Sequence, residues 1–196
     1  EAAITPKTRM LIRCSPSNPT GSGYSQEEPD ALAKVILSHE ELYVLADEIY
    51  EHINYVGKHA SIAKAEGMRE RTIIVNGVSK AYAMTGWRIG YIAAPEWIVK
   101  GCNKLQGQYT SGPCSVSQKA AEAAYTMDQT CVETMRQAFQ RRRDLIVELA
   151  KDIPGLEVNV PEGAFYLFPK CSSFYGKACG DKVINNSTDL AMFLLE

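Results

Sequence analysis

Residues 76–91, which read NGVSKAYAMTGWRIGY, determine how the rest of the chain is interpreted. They follow the apolar, β-branched run 72–75 and lead into a second apolar run at 88–94, and both runs are typical of buried strands. The loop between them carries one lysine, Lys80. An amine on a loop that leaves a buried strand lies where water is scarce, which favours attack on carbonyl compounds. Lys80 is therefore the candidate nucleophile.

Arg88 follows Lys80 by eight positions. Its guanidinium is a fixed fork of donors that suits a phosphate. A nucleophilic lysine with a phosphate-binding arginine is the pair that a phosphorylated aldehyde cofactor requires. The sequence therefore indicates a site for such a cofactor.

Two earlier segments carry polar residues at the ends of predicted strands, where open α/β sheets bind ligands. Asn18 lies in the turn SPSNPTG at 15–21, and its amide can donate to an anionic ring oxygen. Asp47 ends the apolar run 42–46, and its carboxylate can pair with a protonated pyridine nitrogen. Tyr50, three residues later, can reach a phenolic oxygen of the same ring.

Together, these three segments resemble those of the class I aminotransferases of fold-type I, whose lysine segment reads Ser-Lys-x7-Arg-x-Gly. The resemblance implies pyridoxal 5'-phosphate as cofactor. The residues that it assigns to the cofactor are Lys80 as the catalytic Schiff-base lysine, Asp47 at the ring nitrogen, Asn18 and Tyr50 at the ring oxygen, and Arg88 and Ser79 at the phosphate. Relatives often have a serine three residues before the lysine, where this chain has Gly77.

The resemblance implies an aminotransferase that moves an amino group between an amino acid and a 2-oxo acid. The segments AMTGWRIGY and DEIYEH are most similar to those of prokaryotic-type aspartate aminotransferases, including the aspartate/prephenate branch. This resemblance implies aspartate and 2-oxoglutarate as the expected substrates. A homodimer with shared active sites is expected as well. Two alternatives stay open: a carbon–sulfur β-lyase of the same fold, and a cofactor-sensing domain of a transcription regulator.

The fold expected from these segments is α/β, with a central, mostly parallel sheet and helices on both faces. Residues 1–140 are expected to form part of the cofactor-binding large domain. Residues 141–196 are expected to form a linking helix and the start of a smaller α+β domain. The start at Glu1 and the end within an apolar helical pattern indicate a piece of a longer chain, without the ring-stacking aromatic residue and the carboxylate-binding arginine of the family.

Composition excludes several other classes of function. A formal net charge of −2 gives no reason to expect a nucleic-acid partner, and no stretch approaches eighteen apolar residues, so no membrane span is expected. Six cysteines without a CxxC pair favour a reducing cytoplasm. The segment HEELY at 39–43 has Tyr43 where a zinc motif needs its second histidine, so no metal is expected.

Four local predictions concern the surroundings of the site. The pattern S-x-x-E at 25–28 predicts that Ser25 caps a helix. Alternation at 156–160 predicts an edge strand. The three arginines at 141–143 point in different directions on a helix and are expected to be solvated, and His52 and His59 are expected at the surface or satisfied, without a chemical role.

Overall fold

The computed structural model describes residues 1–180 and 182–196, and these form two sheets and five α-helices. The strands are β1 (Met10–Cys14), β2 (Tyr43–Asp47), β3 (Thr72–Gly77), β4 (Gly90–Ala93), β5 (Ala178–Cys179) and β6 (Lys182–Val183). The helices are α1 (Glu27–Leu37), α2 (Glu96–Tyr109), α3 (Ser115–Thr126), α4 (Thr130–Lys151) and α5 (Ser187–Leu195). Of the helices in these ranges, none is both long and apolar enough to cross a membrane.

The main sheet has the order β1-β2-β3-β4, with the first three strands parallel and β4 antiparallel to β3. Cys14 pairs with Asp47, and Asp47 pairs with Val75. Because parallel strands end at the same edge of a sheet, the loops after β1, β2 and β3 leave from one side of the molecule. The predicted mostly parallel sheet is confirmed.

Helices cover both faces of this sheet. Successive side chains of a strand point to opposite faces, and on β2 the fully buried Val44 and Ala46 pack in one core with Ile36 of α1. Tyr43 points the other way and meets Trp97 of α2 edge to face, with 5.7 Å between ring centroids. The predicted helical layers are therefore confirmed.

Helix α1 begins differently from its prediction. Glu28 accepts a hydrogen bond from the Ser25 backbone N–H at 2.9 Å, which is one half of the expected capping box. The residue before the helix is Gln26, and no side chain caps it, because its backbone is already helical (φ −69°, ψ −26°). The prediction that Ser25 is the cap was wrong.

The region after α4 is less regular than its pattern suggested. Residues 156–160 were predicted to form a strand. In the described residues this segment forms one isolated β-bridge, between Glu157 and Lys170, and no strand. Pro161 and Pro169 flank this bridge and have no N–H to donate, so the pairing does not extend. The strand prediction was wrong.

Arg143 also departs from its prediction. Its side chain is only 13% exposed, Nη1 donates to the Pro161 carbonyl oxygen, and the guanidinium lies 4.8 Å from the centre of the Tyr55 ring. Arg141 and Arg142 are exposed, as expected. Helix α4 continues through residues 140 and 141, and the proposed division of the chain at that point stays a prediction.

Candidate functional site

Lys80 lies three residues beyond the carboxyl end of β3. Its Nζ is 5.7 Å from the centre of the Tyr50 ring and 5.6 Å from the centre of the Phe165 ring. Ring faces attract an ammonium group. Within the described residues no carboxylate lies within 4.0 Å of this amine. The amine is thus held by aromatic rings and is not neutralised by a fixed ion pair.

Asp47 is the last residue of β2, and the Ile49 N–H donates to its Oδ1 at 3.2 Å. The neighbouring strand carries Val75 opposite Asp47 and then leads to Lys80. Asp47 and Lys80 therefore lie at the same edge of the sheet, as the order of the motifs predicted. Asp47 also acts electrostatically on the Tyr50 phenol and the Cys14 thiol, so it is close to both groups.

Tyr50 is close to both groups, since Asp47 acts electrostatically on its phenol and Lys80 Nζ is 5.7 Å from its ring centre. The residue is 2% exposed, and its hydroxyl forms a hydrogen bond with the hydroxyl of Tyr166. Burial, followed by this bond, raises the pKa of Tyr50 well above its ordinary value. The phenol thus keeps its proton at neutral pH and can donate it in a hydrogen bond.

The remaining predicted residues are less closely connected to this centre. The Thr85 hydroxyl donates to the Ser79 carbonyl oxygen at 3.1 Å, and Arg88 Nη1 donates to the Thr85 carbonyl oxygen at 2.9 Å, so Thr85 closes the lysine loop. Asn18 is exposed in the turn after β1. Among the described residues, the side chains of Asn18, Ser79 and Arg88 form no hydrogen bond with Lys80, Asp47 or Tyr50.

Strained backbone surrounds Lys80. Ala83, Arg88 and Ala164 have φ values of 53°, 51° and 56°, in the left-handed region that non-glycine residues rarely adopt. Each such residue costs on the order of 1 kcal/mol or more, and this kind of strain collects at functional sites. Ala83 and Arg88 lie in the loop after Lys80, and Ala164 directly precedes Phe165. The fold therefore holds both segments in an unfavourable backbone conformation.

Asn76 and Glu51 join two of the site's loops, and sequence reasoning did not find this link. Asn76 is 5% exposed, and its Nδ2 donates to Glu51 Oε1 at 2.7 Å. Glu51 directly follows Tyr50, and Asn76 is four residues before Lys80. The bond therefore ties the turn that carries Tyr50 to the strand that delivers the lysine. No spacing rule relates a turn residue to a residue on another strand 25 positions away, so the sequence held no signal for it.

The segment 161–166 brings two aromatic residues to the same place. The N–H groups of Glu162 and Gly163 donate to the Gly21 carbonyl oxygen at 2.8 and 3.0 Å, and the Ala164 N–H donates to the Ile53 carbonyl oxygen at 2.8 Å. These bonds fix Phe165 and Tyr166 against Tyr50, with centroid distances of 5.4 and 5.8 Å. The sequence patterns described above assign these two aromatic residues no role.

A cavity of about 400 Å³ opens beside the lysine. Its lining includes Ser79, Lys80, Phe139, Arg142 and Phe165. A volume of several hundred cubic ångströms with mixed apolar and cationic walls is suited to a small anionic molecule. The site thus combines an amine that lines a cavity with a strand-end carboxylate and a phenol at the same edge of the sheet.

Three side chains beyond this centre have ligand atoms within 4.8 Å of one another: Glu48, Glu51 and His59. His59 Nε2 lies 3.1 Å from Glu48 Oε2, and both side chains are nearly buried, so His59 is a partner of Glu48 and not a surface histidine. The buried Arg13 guanidinium also acts electrostatically on Glu48. A neighbouring cation of this kind repels a metal ion, so we assign no metal to the cluster.

Known proteins are similar to this chain over nearly its whole length. It is 50% identical to an aspartate aminotransferase of Pinus pinaster over 98% of the chain and 40% of that protein. It is 48% identical to a bifunctional aspartate aminotransferase and glutamate/aspartate-prephenate aminotransferase of Petunia hybrida, over 100% of the chain and 42% of that protein. The chain thus spans less than half the length of these relatives.

Solved structures show the same fold. The aspartate aminotransferase of Rhizobium meliloti superimposes with a TM-score of 0.94 at 46% identity, over 99% of this chain and 49% of that one. An aromatic aminotransferase of Pyrococcus horikoshii superimposes with a TM-score of 0.82 at 43% identity, over 86% and 45%. The family described as aminotransferase class I and II matches residues 1–190, and the chain belongs to this family.

Proposed function

We propose that the protein is a pyridoxal-phosphate-dependent aminotransferase that moves an amino group from aspartate to 2-oxoglutarate. The convergence of Lys80, Asp47 and Tyr50 at one edge of the sheet carries this proposal. The names of the relatives support the choice of substrates, since both plant proteins are described as aspartate aminotransferases.

The residues present fit the cofactor. A partly buried amine suits an aldehyde, a strand-end carboxylate suits a pyridinium nitrogen, and a buried neutral phenol suits a ring oxygen. When bound, pyridoxal phosphate supplies an electron sink for the charge that develops at the substrate Cα. In this proposal Asp47 pairs with the ring nitrogen, Asn18 and Tyr50 donate to the ring oxygen, and Arg88 and Ser79 bind the phosphate.

Lys80 has two tasks in the proposed reaction. Its Nζ would hold the cofactor at its aldehyde carbon, and the amine, when free, would take a proton from the substrate Cα. Among the described residues no carboxylate forms an ion pair with Nζ, which supports the second task because the amine is free to approach the substrate Cα.

The whole protein is expected to complete the site. We propose a homodimer with active sites shared between subunits, in the cytoplasm, with amino acids and 2-oxo acids as its small-molecule partners. Five described cysteines are free thiols, which is consistent with a reducing compartment. No nucleic-acid partner is proposed.

Assays of the full-length holoenzyme test the function. We expect aspartate with 2-oxoglutarate to give oxaloacetate and glutamate. A coupled dehydrogenase that reduces oxaloacetate measures how much of it forms. Cystathionine serves as the comparison substrate. Pyruvate and ammonia from cystathionine, without transamination of aspartate, would identify a β-lyase instead, and inactivity towards both substrates would favour a sensing domain.

A further inference from the structure

We propose that Tyr166 is a positioning residue that acts on the cofactor through the Tyr50 hydroxyl. The inference rests on the proposed function, in which Tyr50 donates a hydrogen bond to the ring oxygen of pyridoxal phosphate. It assigns a new role to a residue 116 positions away from Tyr50 in the sequence.

The two phenols form a pair at the edge of a small buried cluster, in which Tyr50 is buried and Tyr166 is partly buried. Their hydroxyl groups are hydrogen-bonded, and their rings meet edge to face at 79° with 5.8 Å between centroids. Phe165 also packs edge to face against the Tyr50 ring, with 83° between the ring planes and 5.4 Å between the centroids. Tyr50, Ile53 and Ala164 form the buried centre of this cluster, so neither phenol can turn freely.

Hydrogen bonds to the backbone also hold the segment that carries Tyr166. Ala164 adopts the left-handed φ of 56°, and its N–H is held by the Ile53 carbonyl oxygen at 2.8 Å. The Tyr55 hydroxyl in turn donates to the Ala164 carbonyl oxygen. Two hydrogen bonds thus set the position of the residue from which the chain runs to Phe165 and Tyr166.

This arrangement determines what the Tyr50 hydroxyl can do. A phenol has one hydrogen to donate and can accept at its oxygen. When Tyr166 donates to the Tyr50 oxygen, the Tyr50 hydrogen is left for the ring oxygen, and a chain of two hydrogen bonds strengthens each of its members. Tyr166 thereby makes Tyr50 a better-oriented and stronger donor without touching the cofactor itself.

Tyr166→Phe in the full-length holoenzyme tests the inference, because it removes one hydroxyl and keeps the ring. Hydrogen bonds to the ring oxygen favour its charged form, so weaker donation should raise the pH midpoint of the bound cofactor's absorbance change, by roughly half a unit. The cofactor dissociation constant should rise about two- to five-fold, as expected for one neutral hydrogen bond. The melting temperature of the cofactor-free protein should fall slightly, because one hydrogen bond is lost, so the midpoint is the measurement that identifies the role.

Two controls separate this role from a structural one. Tyr175→Phe makes the same chemical change at an exposed tyrosine whose hydroxyl contacts Cys171, and it should leave the midpoint unchanged. In a Tyr50→Phe background, Tyr166→Phe should have no further effect on the midpoint, because the residue through which it acts has lost its hydroxyl.

An unchanged midpoint in Tyr166→Phe would overturn the inference, as would an equal shift in the Tyr50→Phe background. A fall in melting temperature without a shift in the midpoint would assign Tyr166 a structural role only. A wild-type protein without a cofactor absorbance band would overturn the proposed function itself, and this result is read before any variant is compared.

Discussion

Gly77 stands three residues before Lys80, and the close approach of β4 explains why this position carries no side chain. A Cβ added here would lie 2.9 Å from Gly90 Cα and 3.0 Å from the Ile89 carbonyl oxygen. A serine, which relatives often carry at this position, would therefore push β4 away from β3. Gly77 thus offers a phosphate no side chain, and its N–H donates to Asn76 Oδ1 at 2.7 Å.

The contribution of Tyr55 to folding stability is expected to depend on pH in the alkaline range. Burial raises the pKa of Tyr55 from its ordinary value of 10.0 to about 12, although Arg143 and Arg136 oppose the shift. A pKa that is higher in the folded state means that the unfolded chain loses the proton first as the pH rises. The contribution of Tyr55 to stability is thus complete below about pH 10 and is lost as the pH rises towards 12.

We expect Tyr55→Phe to lower the melting temperature of the full-length protein at neutral pH, because the bond to the Ala164 carbonyl oxygen, worth about 1 kcal/mol, is removed. Between about pH 10 and 12 the wild type should lose stability more steeply than the variant, so the two curves should converge. Thermal unfolding across this pH range measures the difference. Parallel curves would show that Tyr55 does not titrate in the predicted window.

The chemical residues of the site could be predicted because each lies in a short segment with its own pattern. Lys80, Asp47 and Tyr50 were selected in this way, and the structure gathers them at one edge of the sheet, while their roles stay predictions. Tyr166 and Glu51 could not be found. Their contacts join segments that are distant in the sequence, and only the folded chain sets those distances.

The turn after β1 and the segment 161–166 are two elements packed at unusually short range. A Cβ on Gly163 would lie 2.5 Å from Pro16 Cβ and 2.8 Å from the Ile53 carbonyl oxygen. A Cβ on Gly21, which has a φ of 70°, would lie 2.4 Å from Pro161 Cβ. Glycine at both positions lets the turn that carries Asn18 contact the segment that carries Tyr166.

Gly163→Ala should therefore separate these elements. We expect it to lower the free energy of unfolding of the full-length protein by about 1–3 kcal/mol, the usual cost of overpacking, and to weaken cofactor binding. Gly101→Ala is the matched control, because its added Cβ meets nothing within 4 Å and α2 is helical there. This control should be neutral or stabilising by about 0.5–1 kcal/mol.

Denaturant unfolding and cofactor titration of both variants check the expectation. If Gly163→Ala were as stable as Gly101→Ala and bound cofactor equally well, the close packing of the two elements would have no role in forming the site.

Elements with a strong apolar pattern were predicted well, and those without one were not. The runs 42–46 and 72–75 became β2 and β3 because both faces of a parallel sheet are buried. The alternation at 156–160 was misleading, since a strand also needs a partner along its whole length. Arg143 was misplaced because its partners, Tyr55 and the Pro161 carbonyl oxygen, lie outside its helix.

Across the whole molecule, the parallel order of β1, β2 and β3 creates the site. Three loops leave the same edge of the sheet, and they carry Asn18, then Asp47 and Tyr50, then Lys80. The segment 161–166 closes against them from the region after α4. Reversal of any one of these strands would carry its loop to the opposite edge, so the topology and the chemistry depend on each other.

Reductive trapping examines this arrangement in the full-length protein. Borohydride adds hydride to the carbon–nitrogen double bond between the cofactor aldehyde and a lysine, and the bond becomes a stable secondary amine. Mass spectrometry of the digested protein then locates the modified lysine. Lys80→Ala, treated in the same way, is the control.

We expect the phosphopyridoxyl group on the peptide that contains Lys80, with loss of the label in Lys80→Ala. A label on a different lysine of the wild type, or an equally labelled Lys80→Ala protein, would contradict the assignment of Lys80 as the residue that binds the cofactor.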